Sequence, residues 1–474
     1  MPAWNRRNLF VKLFVLDEAS SGSTTALPPA HERIARFITR ARFEDLPAAV
    51  VEKAKAQIVY HFGLAFAGLR NYEAEQMRRV AAQLNQPAGG ASVIGEKYRL
   101  FTSDAAFANC TLMRAIWRDD VVFPAGVHPG IMTLPTALAV GEKGHSSGEQ
   151  LILSMVLGYE VLGKLGSAAI GWAAPMPRRD TMIFGGYGPV VVAGKLLGLS
   201  ETKFANALGY AANLCMGVPE GGQVDHFYSL ITRNATFAAD LAATGGAPYG
   251  NATLEGEFGL YRAFWGEVPE NLDALIAAMG TDWEILRAEH KRHYGTGQNT
   301  VAIELMLQLA RDNTLTPDNV ANIDIVLHSD RSQRAENLFR GPFSEPGEAY
   351  SSMPFALAVV LANGQVTERS YSDAEIRSQN INAIVQKTRI RFESDHANPR
   401  YCRLEIETSD GRRLVGSSDR FAFAFPQEDW KDWLYRDGAE VLPEAKLDSL
   451  LKQLVALDTL DDVAELMATV RSDT

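Results

Sequence analysis

The chain has 474 residues, of which 46% are hydrophobic and 22% charged, and its formal net charge at pH 7 is −11. This composition is ordinary for a folded globular protein and excludes fibrous and disordered classes. The acidic balance argues against nucleic-acid binding, which needs a basic face, and the length predicts roughly two or three domains. Three dispersed cysteines, Cys110, Cys215 and Cys402, form no CxxC pair. We therefore expect no cysteine-bound metal and a reducing, cytoplasmic compartment.

Residues 1–29 are predicted to form an N-terminal extension and linker. Their first half mixes basic side chains with an apolar run that Lys12 interrupts. Such a run is too short to span a bilayer and makes a poor signal peptide, although organelle targeting stays an alternative. The apolar stretch 151–166 contains Glu160 and Lys164, so we expect no membrane partner.

Helical periodicity dominates residues 30–275. Residues 47–64 begin with Pro47 and place apolar side chains on one face, as is typical of a helix that begins at proline. Pairs of small residues such as Ala211-Ala212 recur in later segments, and small residues let helices pack closely. Gly198 and Gly245 are predicted helix ends. The pattern predicts a mainly α fold with a large all-helical domain.

A smaller α+β domain is predicted over residues 276–418, and residues 419–474 are predicted to be helical again. Short runs of β-branched and aromatic residues indicate strands, and Asp410-Gly411 is typical of a hairpin turn. The predicted strands are Ile323–His328, Thr388–Phe392, Arg403–Thr408 and Arg413–Gly416. The predicted helices of this part are Ser352–Leu361, Asp373–Gln386 and, in the C-terminal part, residues between Leu442 and Val470.

Several local patterns follow one another in an order that resembles a known family. They are Asp45-Leu46-Pro47 with Gly63–Gly68, Ala105–Asn109, Asp119-Asp120 with His128-Pro129-Gly130, Gly158–Val161, Phe184-Gly185 with Lys195–Leu199, and Leu254-Glu255-Gly256. From about residue 30 to 420 the chain resembles the MmgE/PrpD superfamily, whose members include 2-methylcitrate dehydratase, cis-aconitate decarboxylase and iminodisuccinate epimerase. The resemblance implies a helical domain built from both chain ends, an inserted α+β lid, an active site in the cleft between them, and a homodimer.

His128 is the predicted catalytic acid/base. It lies in a Gly- and Pro-rich stretch before an apolar helix, and an imidazole titrates near ~6.5. The residues alone are equally compatible with a structural histidine, whereas the resemblance implies catalysis. Asp119 and Asp120 match the family's paired acids and are predicted to be catalytic partners, although one of two such neighbours could instead cap the following loop.

The chain departs from the family pattern around these residues. Trp117 stands where the family has an acid, Arg114 and Arg179 stand where it has histidines, and Thr296 stands where it has a cysteine or histidine. A guanidinium is a poor base but grips carboxylates well, so we expect a pocket that binds anions and has lost some proton-transfer groups. Alternatively, some of these arginines point to solvent or pair with the two aspartates. The predicted substrate-binding residues are Arg114, Trp117, Arg179, Thr181, His226, Lys291 and Thr296.

The predicted function is that of a dehydratase-like lyase without metal or cofactor, which takes a proton from the carbon beside a carboxylate of a small hydroxylated or unsaturated acid. Isomerisation or epimerisation and decarboxylation are alternatives. The large apolar Trp117 also fits a pocket repurposed for a natural-product intermediate. A degenerate homologue that only binds a small acid or a partner protein is the alternative outside enzymes.

Overall fold

The computed structural model describes residues 27–83, 90–169, 183–214, 225–246, 248, 250, 252–329, 338–396, 398, 401–419 and 427–472. Residues 1–26 of the predicted extension, as well as Arg179 and Thr181, lie outside the described residues. Helices dominate the remainder and strands are few and short, so the predicted mainly α fold is confirmed.

Helices follow one another along most of the chain, and a single longer group of strands lies in its last third. The helices are α1 (Ala30–Arg40), α2 (Ala48–Gly68), α3 (Tyr72–Ala82), α4 (Thr102–Arg114), α5 (Gly130–Gly144), α6 (Gly148–Ala168), α7 (Tyr187–Leu196), α8 (Glu201–Leu214), α9 (Asp225–Ala243), α10 (Leu260–Trp265), α11 (Leu272–Ala277), α12 (Thr300–Asn313), α13 (Pro346–Ser351), α14 (Met353–Asn363), α15 (Asp373–Ile376), α16 (Gln379–Gln386), α17 (Trp430–Gly438), α18 (Glu444–Val455) and α19 (Val463–Thr469). The strands are β1 (Ala91–Ser92), β2 (Arg99–Leu100), β3 (Val121–Val122), β4 (Ala288–Glu289), β5 (Val320–His328), β6 (Thr388–Glu393), β7 (Cys402–Thr408) and β8 (Arg413–Ser418).

Helices α2 and α6 form the centre of the helical core. Helix α2 runs one turn beyond its predicted end because Ala65, Phe66 and Ala67 continue its apolar surface and are fully buried. Helix α6 is capped by Ser147, whose side chain accepts a hydrogen bond from the Gln150 amide at 3.3 Å. By length and composition α6 could cross a membrane, but 94% of its most apolar window is buried inside the protein. It is therefore a core helix.

The strands β5 to β8 form one sheet in the order β6-β5-β7-β8. Strand β5 pairs parallel with β6 and antiparallel with β7, and β7 pairs antiparallel with β8. The predicted strands are found with slightly longer bounds, and Gly411 turns the β7–β8 hairpin at φ 85°, a value that glycine adopts without strain. The domain boundaries at 275 and 418 stay predictions.

One predicted helix is wrong in its continuity. Residues 373–386 form α15 and α16 because the Ser378 side chain caps a new helix, accepting from the Ile381 amide at 3.4 Å. The C-terminal part, predicted as helices, forms α18 and α19 between Leu442 and Val470, and Asp462 caps α19 by accepting from the Ala464 amide at 2.8 Å. Side-chain oxygens that compete for backbone amides interrupt a helix in this way.

Candidate active site

The loop after α4 places the two adjacent aspartates, Asp119 and Asp120, in the buried interior of the protein. Its backbone turns at Trp117 with φ 54°, a conformation that bulky residues rarely adopt. Strand β3 then pairs antiparallel with β4, and this pairing places Asp119 and Asp120 beside Lys291. The buried Tyr60 hydroxyl donates to the Lys291 carbonyl at 2.8 Å and also contacts the Arg118 carbonyl. Tyr60 thus holds together the loop that carries Arg118 and the segment that carries Lys291, which are distant in sequence.

Asp119 is a fully buried carboxylate surrounded by three basic side chains. Its Oδ1 lies 2.6 Å from Arg114 Nη1 and 3.1 Å from Lys291 Nζ, and its Oδ2 lies 2.9 Å from His128 Nδ1. Burial alone would raise the pKa of this carboxyl, but Arg114, Lys291 and His128 outweigh burial and hold the pKa well below its ordinary value. Asp119 therefore stays ionised at neutral pH.

Lys291 is buried against the same carboxylate. Burial lowers the pKa of its ammonium, while the neighbouring Asp119 opposes this shift. The Nζ donates to Asp119 Oδ1 and to the Trp117 carbonyl, each at 3.1 Å. An ammonium has three donors, so one N–H is left over from these two bonds.

His128 is held in one tautomer by the backbone. Its Nδ1 lies 2.6 Å from the Asp120 carbonyl oxygen, and because a carbonyl can only accept, Nδ1 carries the hydrogen. Asp119 Oδ2 is close to the same nitrogen but makes no hydrogen bond, so it lies off the N–H direction and acts through its charge. The side chain is 19% exposed, and no described residue bonds to Nε2. The lone pair of Nε2 is thus available to act as a base.

Asp120 has a different environment from its neighbour. Its Oδ2 accepts from the Tyr159 hydroxyl at 2.7 Å, and its Oδ1 accepts from the Gly130 amide at 3.1 Å and lies 3.2 Å from His61 Nε2. Gly130 is the first residue of α5, and a Cβ there would come within 2.1 Å of the His61 ring. Asp120 therefore holds the start of α5 and, through its own carbonyl, the ring of His128.

An aromatic stack covers the other side of Asp119. The Arg114 guanidinium lies between two rings, 4.4 Å from the centre of Trp117 and 4.7 Å from that of Tyr228. The opposite face of Trp117 stacks on Tyr350, with centroids 5.5 Å apart and planes 2° apart. The Thr296 amide donates to the Tyr350 carbonyl at 3.2 Å. The geometry of Arg114 matches the alternative in which it pairs with an aspartate.

The structure brings most of the predicted site residues into one connected cluster. Its predicted members are Arg114, Trp117, Asp119, Asp120, His128 and Lys291, with Thr296 attached through Tyr350. His226 lies in the first turn of α9, with its side chain outside the described part. The catalytic and binding roles of all these residues stay predictions.

Sequence reasoning missed three side chains of the cluster, namely His61, Tyr159 and Tyr228. Tyr159 belongs to a segment that carried the family resemblance, which was the signal available for it. His61 gave no signal in the sequence, because it lies in a part of α2 where the residues on every side of the helix are buried.

Behind the cluster, Arg118 anchors the loop to the C-terminal part of the chain. Its fully buried guanidinium pairs with Asp437 of α17 and lies within 5.7 Å of the ring centres of Tyr60, Tyr294 and Trp433. Removing one partner of such a buried pair leaves an uncompensated charge and destabilises a protein strongly. The pair thus fixes the backbone that carries Asp119 and Asp120.

Comparison with known sequences gives a consistent result. The MmgE/PrpD N-terminal domain matches residues 32–301, and the MmgE/PrpD C-terminal domain matches residues 297–429. A cis-aconitate decarboxylase-like protein of Aspergillus oryzae is 25% identical over 97% of this chain and 99% of its own length. Human cis-aconitate decarboxylase is 25% identical over 93% of this chain and 94% of its own length. The enzyme of that name from Aspergillus terreus is 24% identical, with 94% and 97% covered.

Proposed function

Since this chain belongs to the MmgE/PrpD family, whose relatives named above point to a dehydratase- or decarboxylase-like enzyme, we propose that it is a lyase acting on a hydroxylated or unsaturated carboxylic acid. The reaction begins with proton transfer at the carbon beside a carboxylate. The observation that carries this proposal is the fixed tautomer of His128, whose Nδ1 faces the Asp120 carbonyl at 2.6 Å while Nε2 has no partner among the described residues.

In this mechanism His128 Nε2 takes the proton from the substrate carbon. The imidazolium that forms is stabilised by the charge of Asp119, 2.9 Å from Nδ1, as in other enzymes in which a buried carboxylate supports a histidine base. The remaining N–H of Lys291 supplies a donor for the negative charge that develops on the substrate carboxylate. Asp120 positions His128 and takes no proton.

Dehydration is the first choice among the reactions. The electron pair of the broken C–H bond forms the new carbon–carbon double bond, and the hydroxyl on the next carbon leaves with the proton held by His128 as water. One group thus acts first as base and then as acid.

Decarboxylation is the second candidate, because the relatives named above are called cis-aconitate decarboxylases. Here the bond between carbon and the carboxylate breaks, carbon dioxide leaves, and the electron pair on carbon takes a proton from the His128 imidazolium. The two candidates need opposite starting protonation states of His128, so their pH–rate profiles differ in direction.

The test is incubation of the purified protein with citrate-like and aconitate-like acids in deuterium oxide. NMR follows deuterium incorporation and the loss of the hydroxyl group, and headspace analysis follows carbon dioxide. We expect His128→Gln to lower turnover by roughly 10²–10⁴-fold, the usual contribution of a positioned acid or base. His145→Gln is the matched control, because His145 also lies beside a carboxylate, with Nδ1 2.7 Å from Asp462, but is 74% exposed.

Two outcomes contradict the proposal. If His128→Gln turns over as fast as the wild type, catalysis does not use this imidazole. If no acid in the panel exchanges a proton or loses water or carbon dioxide, the lyase proposal fails. Calorimetric binding of the same acids then tests the alternative of a homologue that only binds.

A further inference from the structure

A pocket lies away from the His128 cluster and shares no residue with it. Its volume is about 500 Å³, and it is bounded by α1, the loop that follows α1 and the segment after α11. Phe37, Met279 and Trp283 provide an apolar wall, in which the rings of Phe37 and Trp283 lie 6.4 Å apart. A cavity of this size is typical of sites for small organic molecules.

Four arginines line this pocket. Arg33, Arg36 and Arg40 are spaced three and four residues apart on α1 and therefore share one face of the helix, and Arg42 follows on the loop. Among the described residues, the lining contains a single acid, Asp45, which pairs with Arg42 at 3.3 Å. Arg33 is paired with Asp273 at 2.5 Å.

Arg36 and Arg40 are less well neutralised than the other two. Both approach the same carboxylate, Glu201, with Nε 3.6 Å from a carboxylate oxygen in each case. This distance is longer than a hydrogen bond. The Nη groups of both side chains make no hydrogen bond to a described residue. The side chains are 46% and 71% exposed, so a ligand can reach them.

We propose that this pocket binds an organic anion that carries phosphate or carboxylate groups on an apolar or aromatic body. The planar guanidinium fork bonds two oxygens of such groups at once. The anionic end would lie on Arg36 and Arg40, and the body would lie against Phe37 and Trp283. The inference is independent of the proposed lyase activity, because no group of that mechanism takes part.

The experiment is isothermal titration of the full chain with ADP, with inorganic pyrophosphate and with adenosine. ADP carries both the anionic and the aromatic part, and each of the other probes carries one of them. The titration is repeated with the double variant Arg36→Gln/Arg40→Gln. The control is Arg79→Gln/Arg412→Gln, which removes the same charge from side chains of similar exposure, 69% and 50%.

We expect ADP to bind more tightly than either partial probe. The loss of two charge-assisted contacts should weaken ADP binding by about 10-fold or more in the pocket variant, whereas the control should bind like the wild type. The inference is overturned if ADP gives no binding at millimolar concentration or if the control loses as much affinity as the pocket variant. Pyrophosphate binding as tightly as ADP would also overturn it, since the apolar wall would then contribute nothing.

Discussion

The Asp119 cluster and a second buried ionic cluster near the end of α6 shift the pKa of a buried carboxyl in opposite directions. In the first, one carboxylate has three basic neighbours. In the second, Glu160 and Glu284 share the buried Lys164, whose Nζ lies 3.9 Å and 2.9 Å from them. The pKa of Asp119 is held well below its ordinary value, whereas burial raises the pKa of Glu160 to about 7 despite amide donors from Glu284 and Gly280.

The comparison shows that burial alone does not decide the charge of an interior carboxyl. Desolvation disfavours both carboxylates, and the number of nearby cations sets the sign of the shift. Because Asp119 is permanently ionised, it can stabilise a charged His128 but cannot itself carry a proton near neutral pH. Glu160 can exchange a proton in that range, but its neighbours are structural and none belongs to the candidate site.

The largest effect is expected for Asp119→Asn. The substitution keeps the shape of the side chain but leaves Arg114 and Lys291 buried without their counter-charge. Breaking a buried pair in this way costs roughly 3–5 kcal/mol of unfolding free energy, which chemical denaturation measures. Asp45→Asn, at an exposed ion pair with Arg42, is the control and should change little. If Asp119→Asn is as stable as the wild type, the three cations around Asp119 do not depend on its charge, and the contrast with the Glu160 cluster is lost.

Lys164→Met should have the next largest effect, about 2 kcal/mol, which is less than the usual cost of breaking a buried ion pair. The loss is limited because Glu160 can take up a proton and Glu284 keeps Arg287, 2.7 Å from its Oε1. Denaturation at two pH values checks this explanation. The destabilisation should be smaller at pH 5.5 than at pH 8, and a loss that is equal at both would contradict it.

The pH dependence of wild-type stability sharpens the comparison further. Since the pKa of Glu160 is raised to about 7 in the folded state, its protonated form favours folding, and this stabilisation disappears as pH rises through 7. Linkage gives a loss of roughly 1 kcal/mol between pH 6 and pH 8. Glu160→Gln, which mimics the protonated carboxyl, should flatten this slope. If the unfolding free energy of Glu160→Gln falls as steeply with pH as that of the wild type, titratable groups other than Glu160 cause the pH dependence.

The smallest effect is expected for Arg287→Met. This arginine pairs with Glu284 but is 38% exposed, so its contribution should be within about 1 kcal/mol, as for other solvent-accessible pairs. The thermal unfolding midpoint in low and high salt checks it. A loss of stability as large as that of Lys164→Met would mean that Lys164 and Arg287 stabilise the protein equally through Glu284. That result would contradict the expected difference between a buried and an exposed partner.

Much of the fold could be predicted from local patterns in the sequence. Helical and alternating periodicity located α2 and the strands β5 to β8, because each pattern reflects burial of one face. The break between α15 and α16 was missed, since a capping serine competes with periodicity over only one or two residues.

The candidate site was predictable where its residues are close in sequence and not where they are distant. Asp119, Asp120 and His128 lie within ten residues, on the connection between α4 and α5 that also contains β3. The partners His61 and Tyr159 are 59 and 39 residues away from Asp120, so only the packing of whole helices brings them together. The sequence also could not tell Asp119 from Asp120, because Asp120 is set apart by His61 and Tyr159 and Asp119 in part by Lys291, all of which are distant in sequence.

The long sequence separation of the bonded partners has a consequence for biosynthesis. Lys291 follows Asp119 by 172 positions, and Asp437 follows Arg118 by 319. When the ribosome has released the aspartate loop, neither charge partner yet exists, and the nascent chain must keep these groups hydrated. The interior around them can close only when almost the whole polypeptide has emerged, so the site is completed among the last steps of folding.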